Sequence, residues 1–154
     1  MALIKAGSLG WESGPVVVGV GGGRSDAHLA VAFAEAALRG TELQVVSAWS
    51  PAPVLAPEAG VVPEAFDPAV VMGERGQDLA RLLAPWRERH PGVPVDVALV
   101  DDSARHALIG ASSKAGLLVV GRHDEGGRHV LALGSVASSV AHHADCPVLL
   151  AGPD

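Results

Sequence analysis

The chain has 154 residues, with 17 acidic against 11 basic side chains for a net charge of −6 and a pI near 5.6. That balance, with no Lys/Arg run to offset it, excludes a nucleic-acid binder that works by neutralising phosphates. At 49% hydrophobic and 18% charged residues the chain is too apolar to be disordered, and its length suits one domain with a sizeable core.

Residues 1–14 hold one Lys, no long apolar run and an early Glu12, so they read as a flexible N-terminal arm and not as a secretory signal. Residues 15–154 are then expected to form a single domain, without internal repeats. No stretch reaches the roughly 18 apolar residues of a membrane span, which predicts a soluble protein with no membrane partner. The single cysteine, Cys146, excludes an intramolecular disulfide and fits a reducing compartment, the cytoplasm.

In chain order, Val16-Val17-Val18-Gly19-Val20 is short, β-branched and apolar without alternation, the pattern of a strand covered on both faces. It runs into Gly21-Gly22-Gly23. From 24 to 39 the apolar Ala27, Ala30, Val31, Ala34, Ala37 and Leu38 recur at helical spacing, and Gly40 is a stop signal. Residues 43–49 read as a second strand, followed by a Pro-rich loop to about Pro68. A helix is expected from about 68 to 90, with Val71, Leu79, Leu82, Leu83 and Trp86 on its apolar side and Gly73, Gly76 and Pro85 against it. The remaining pattern is strand over 95–100, helix over 103–114, strand over 117–120, helix over 134–143 and strand over 147–151. Strands alternating with helices predict an α/β fold, an open parallel sheet with helices on both faces, because parallel neighbours need right-handed crossovers.

Ligands of such sheets bind beyond the carboxyl ends of the strands, where strand order reverses. Two of those ends are rich in glycine: Gly19-Val20-Gly21-Gly22-Gly23, and Gly121 followed by Gly126-Gly127 and by Gly134-Ser135 at a helix start. Glycines admit an anion close to backbone N–H groups, and a helix N-terminus adds free donors. The first loop matches neither the dinucleotide fingerprint, since Arg24 stands at its last small position, nor a P-loop, since Arg24-Ser25 follows Gly23 and Val18 stands where the first glycine belongs. On its own it reads as a tight strand-to-helix turn.

The stretch from Leu117 to Leu150 resembles the C-terminal half of the universal stress protein family. Members carry Gly, two residues, Gly, nine residues, Gly, then Ser or Thr; here Gly121, Gly134 and Ser135 stand at the first, third and hydroxyl positions with the total spacing intact. Leu118-Val119-Val120-Gly121, Leu133-Gly134-Ser135-Val136 and Cys146-Pro147-Val148-Leu149 are similar to the family's strand, motif end and last strand. Pro15-Val16-Val17-Val18-Gly19-Val20 and Ala36-Ala37-Leu38-Arg39-Gly40 extend the likeness to the N-terminal half. The resemblance implies five parallel strands in the order 3-2-1-4-5, a Rossmann-like sheet of the adenine nucleotide alpha hydrolase-like type. It implies a nucleotide site with Val20 and Ala48 at the nucleoside end, Val120, Gly121 and Arg122 at the first phosphate loop, and Gly134, Ser135 and Val136 at the second.

Two departures touch that site. Asp124 replaces the second motif glycine, and Gly21 replaces the aspartate that follows the first strand and contacts the nucleoside. A carboxylate beside a polyphosphate repels it, by about 1 kcal/mol per like-charge pair at 4 Å in water and several times that near a protein surface. The function implied is a dimeric stress-response binding and signalling protein, not an enzyme, with a degenerate site that holds ATP or another adenine nucleotide weakly or not at all. The alternative is a working ATP site used for regulation, with Arg122, His123 and Arg128 offsetting Asp124. Slow ATP hydrolysis ranks last, with only Asp124 and His123 as base and metal ligand.

No metal is required, since His142 and His143 are helical neighbours that diverge and no second ligand type is suitably spaced. Cys146 reads as a small buried hydrophobe, Asp101 and Asp102 as charge and capping ahead of a helix, Trp49 as core, and Ser135 as a helix cap as much as a phosphate ligand. The last strand, 147–151, becomes an apolar sheet edge in this topology, which predicts a homodimer through it by antiparallel pairing about a two-fold, beside an unidentified protein partner.

Overall fold

The computed structural model describes residues 2–3, 14–21, 26–49, 68–121 and 135–151. The elements are β1 (Ala2–Leu3), β2 (Val16–Gly19), α1 (Asp26–Arg39), β3 (Leu43–Trp49), α2 (Pro68–Arg89), β4 (Val95–Asp101), α3 (Ala104–Ser112), β5 (Leu117–Gly121), α4 (Ser135–His143) and β6 (Val148–Ala151). They form one sheet in the order β1-β6-β5-β2-β3-β4, whose five longer strands are parallel. Counted without β1, that is the order 3-2-1-4-5 expected from the resemblance.

Alternate residues of each strand serve opposite faces, as the pleat requires. Val16, Val18, Leu43, Val45, Leu117 and Val119 pack under α1 and α2 against Leu29, Phe33, Leu79 and Leu83. Val17, Val46, Leu118, Val120, Val148 and Leu150 pack under α3 and α4 against Leu108, Ala137 and Val140. This double covering is why β2 and β5 read as unbroken apolar runs. Cys146 is fully buried in the second layer, as a small core residue. The Pro-rich loop over 50–67 lies outside the described residues.

Helix ends follow local chemistry. Gly40 closes α1 at φ +63°, the left-handed conformation that suits glycine at a helix end. α2 continues through Pro85, which falls on an exposed stretch of the helix. The carbonyl that loses its N–H partner there belongs to Arg81, also exposed, so water can take the bond. Ser103 caps α3, its Oγ accepting from the His106 N–H at 3.2 Å. Asp102 accepts from the Ser103 N–H at 2.7 Å and from His106 Nδ1–H at 2.5 Å, which holds its carboxyl below the usual carboxylate range, chiefly through the histidine. The capping role expected of this corner is the one observed.

The arm expected to be loose over 1–14 contains a strand. β1 pairs antiparallel with β6, Ala2 opposite Leu150 and Leu3 opposite Leu149. The edge of β6, expected to be open, is thereby covered at two residues, because unpaired main-chain groups on an apolar edge accept any strand within reach.

Among the described residues Phe33 is the largest fully buried side chain, stacked on Trp86 at 6.2 Å and on His90 at 5.5 Å between ring centroids. It ties α1 to the last turns of α2. Phe33→Ala should cost about 3–5 kcal/mol of unfolding free energy in urea melts. A loss near zero would mean that this layer does not hold α2 on the sheet.

Candidate functional site

The strand order reverses between β2 and β5. From β2 the chain crosses to β3 through α1 on one face, and from β5 it crosses to β6 through α4 on the other, so the two strands diverge at their carboxyl ends into a crevice. Their pairing, Val16 with Leu117 through Val18 with Val119, brings the ends of the two glycine-bearing segments side by side. Gly21 is exposed at one lip and Gly121 half-buried at the other.

The expected site residues fall as follows. Val20 and Val120 are buried at 4% and 3% exposure, on opposite faces of the sheet, and offer the crevice little but backbone. The Val20 N–H donates to the Val46 carbonyl at 2.9 Å. Ala48, half-buried, lies near the end of β3, two residues beyond Val46. Ser135 opens α4, and Val136 packs on the second core layer. Arg122, His123, Asp124, Arg128 and Gly134, with Gly22 to Ser25 of the first loop, lie outside the described residues. The structure therefore joins Val20, Gly21, Ala48, Val120 and Gly121 at one end of the sheet and leaves the phosphate loops to the sequence.

Two residues that sequence reasoning missed stand at this end. His28, in the first turn of α1, is 7% exposed and lies over Gly121. A Cβ built on Gly121 would come within 2.7 Å of His28 Nδ1 and 3.1 Å of Cε1, so the missing side chain makes room for the imidazole. Arg75, on α2, is partly buried, and its Nη1 donates to the Ala48 carbonyl at 3.1 Å. The signal for both was a polar residue on an apolar stripe: His28 shares its spacing with Ala32 and Ala36, and Arg75 with Leu79 and Leu83.

Other expected assignments resolve locally. His142 and His143 are exposed, and His142 Nδ1–H donates to the Ser138 carbonyl one turn back at 2.9 Å. Among the described residues no cluster of three or more His, Cys, Asp or Glu is arranged to hold a metal ion. Among them, too, no helix is long and apolar enough to cross a membrane.

The family model described as the universal stress protein family matches residues 13–152. A universal stress protein of Mycobacterium bovis is 41% identical over 141 residues, covering 91% of this chain and 46% of its own length. Another, from Mycobacterium tuberculosis, is 36% identical with the same coverage. The chain thus spans about half the length of the curated relatives it matches. Among solved structures, the universal stress protein UspA from Lactobacillus plantarum superposes with a TM-score of 0.68 at 17% identity, over 90% of this chain and 97% of its own. A universal stress protein from Archaeoglobus fulgidus in complex with dAMP gives 0.62 at 23% identity, over 89% and 96%. One in complex with cAMP gives 0.58 at 23%, over 92% and 100%.

The fit of His28 against Gly121 makes a thermodynamic prediction. Gly121→Ala should destabilise the fold by about 1–3 kcal/mol through overpacking, and adding His28→Ala should recover part of that loss, giving a coupling of about 0.5 kcal/mol or more in a double-mutant cycle. Additive losses would show that the imidazole does not occupy the space above Gly121. With these residues in one crevice and a match over nearly the whole chain, this protein belongs to the universal stress protein family.

Proposed function

We propose that this chain is a dimeric stress-response binding and signalling protein of the cytoplasm, one domain over 15–154, whose crevice is a degenerate adenine-nucleotide site. The observation that carries the reading is the meeting of Gly21 and Gly121 at adjacent strand ends, where strand order reverses. Two relatives of the same fold are complexes with dAMP and cAMP, which supports the same ligand class here. In this reading Val20 and Ala48 flank the nucleoside, Val120, Gly121 and Arg122 form the first phosphate loop, and Gly134, Ser135 and Val136 form the second.

ATP binds weakly or not at all, because Gly21 removes a nucleoside contact and Asp124 sets a negative charge among the phosphate donors. The role is binding and not catalysis: a hydrolase needs a base and a metal ligand near the phosphates, and only His123 and Asp124 stand there in sequence. Calorimetry with magnesium ATP should give no micromolar affinity for the wild type and a clear gain for the double variant Asp124→Gly, Gly21→Asp. One charge-assisted hydrogen bond accounts for about 1.5–3 kcal/mol of that gain. Micromolar binding by the wild type would instead support the working ATP site, in which Arg122 and His123 offset Asp124.

The homodimer forms through β6. Its four residues are buried and apolar, and a second β6 about a two-fold would satisfy the main-chain edge as β1 does for Leu149 and Leu150. Because β1 lies on that edge, deleting residues 1–13 should strengthen self-association, seen by light scattering as a dimer mass at lower concentration. A deletion variant that stays monomeric at tens of micromolar would refute dimerisation through this edge.

A further inference from the structure

We propose that Arg75 makes this crevice selective for an adenosine nucleotide that carries a phosphate on its ribose, at the 2′ or 3′ oxygen, over one phosphorylated only at the 5′ position. The inference rests on the nucleotide-site reading above and specifies its ligand.

Arg75 points at the end of the sheet. On α2 it precedes Leu79 and Leu83 by four and eight residues, on the stripe that packs over β2, β3 and β4, and its guanidinium reaches the Ala48 carbonyl at 3.1 Å. Carbonyls two residues apart on a strand face the same neighbour. The Val46 carbonyl is taken by the Val20 N–H of the β2 chain, so the Ala48 carbonyl also faces that side, one step further out. By register Gly19 lies opposite Val46, which puts Ala48 level with Gly21. The guanidinium is therefore held at the carboxyl end of β3, on the side of that strand that faces the chain leaving β2.

Charge and space there favour an anion. Among the described residues the ion pairs are Arg39 with Glu35, Arg81 with Asp78 and His106 with Asp102, and no carboxylate lies within 4.0 Å of Arg75. One of the five guanidinium N–H groups is placed on Ala48, and the rest of the planar fork suits a phosphate. A partly buried cation is screened less than an exposed one and attracts an anion more strongly. Among the described residues, a Cβ on Gly21 would meet nothing within 4 Å.

The chemistry of ribose recognition gives that combination a meaning. A carboxylate at the end of a strand accepts hydrogen bonds from ribose hydroxyls, whereas an arginine at the same place accommodates a ribose phosphate. Here the corresponding place is the end of β3, where Ala48-Trp49-Ser50 offers no carboxylate and the neighbouring side chain is Arg75. The absence of an acidic residue at that strand end and the presence of the cation act in the same direction: weaker recognition of free hydroxyls, stronger recognition of a phosphate on them.

Calorimetry with adenosine 5′-monophosphate, adenosine 2′,5′-bisphosphate and adenosine 3′,5′-bisphosphate tests this on the full chain, and the two bisphosphates distinguish the 2′ from the 3′ position. The wild type should bind one bisphosphate about tenfold or more tighter than the monophosphate. Arg75→Met, which keeps the apolar stem, should bring the ratio near one while leaving the monophosphate affinity within about twofold. Gly21→Asp, at a position with open space, should also lower the ratio by supplying the guanidinium with a carboxylate partner, and it serves if Arg75→Met does not fold. Equal affinities in the wild type, or a preference that survives in both variants, would overturn the assignment to Arg75 while the nucleotide site stands. Failure of all three nucleotides to bind would overturn the nucleotide site, and the inference with it.

Discussion

The pairing of β2 with β5 is the contact on which the rest of the molecule depends. It joins segments from opposite halves of the chain, Val16 to Val18 against Leu117 to Val119, and all six of those side chains are buried at 2% exposure or less. Such a non-local contact is formed against a large loop entropy, and what rewards it is apolar burial on both faces of the sheet at once. The same pairing creates the functional geometry. Once these two strands are neighbours and their crossovers leave on opposite faces, a crevice opens at their carboxyl ends whatever the loops above it contain. Fold stability and the placing of these strand ends are thus one constraint.

Gly21 follows β2 in the first of these crossovers, while α2 delivers the Arg75 guanidinium to the Ala48 carbonyl near the end of β3. His28 completes the inner wall from α1, in space that any side chain at position 121 would take. His28 and Arg75 come from two different crossovers. They meet only because the helices are packed to the sheet by their apolar stripes, with Leu29 and Phe33 beside His28, and Leu79 and Leu83 beyond Arg75.

The parallel core was legible because its residues obey one rule. Strands covered on both faces are continuous β-branched runs, and their crossovers show three- and four-residue apolar spacing; the observed elements begin and end within about two residues of the expected ones. The parts that were not legible have physical reasons. β1 is two residues long, too short to carry a period, and it exists because the edge of β6 accepts it. Pro85 argues against a helix in isolation, yet it is tolerated where it and Arg81, whose carbonyl it orphans, are both exposed. Motif resemblance pointed to backbone positions that lie together at the ends of β2, β3 and β5, but it could not supply Arg75 or His28, which no motif contains. A charged or polar residue on a buried stripe is the trace they leave in sequence, and only the packing shows where such a side chain ends.

In the function proposed above, a nucleotide enters at the carboxyl ends of β2, β3 and β5. Backbone amide chemical shifts, followed by NMR while an adenosine nucleotide is titrated into the protein, test this most directly. The largest changes are expected on Val20, Gly21, Ala48, Val120, Gly121 and the first turn of α4. Changes centred instead on the amino-terminal ends of the same strands, around Val16, Leu43 and Leu117, or spread evenly over the surface, would contradict it.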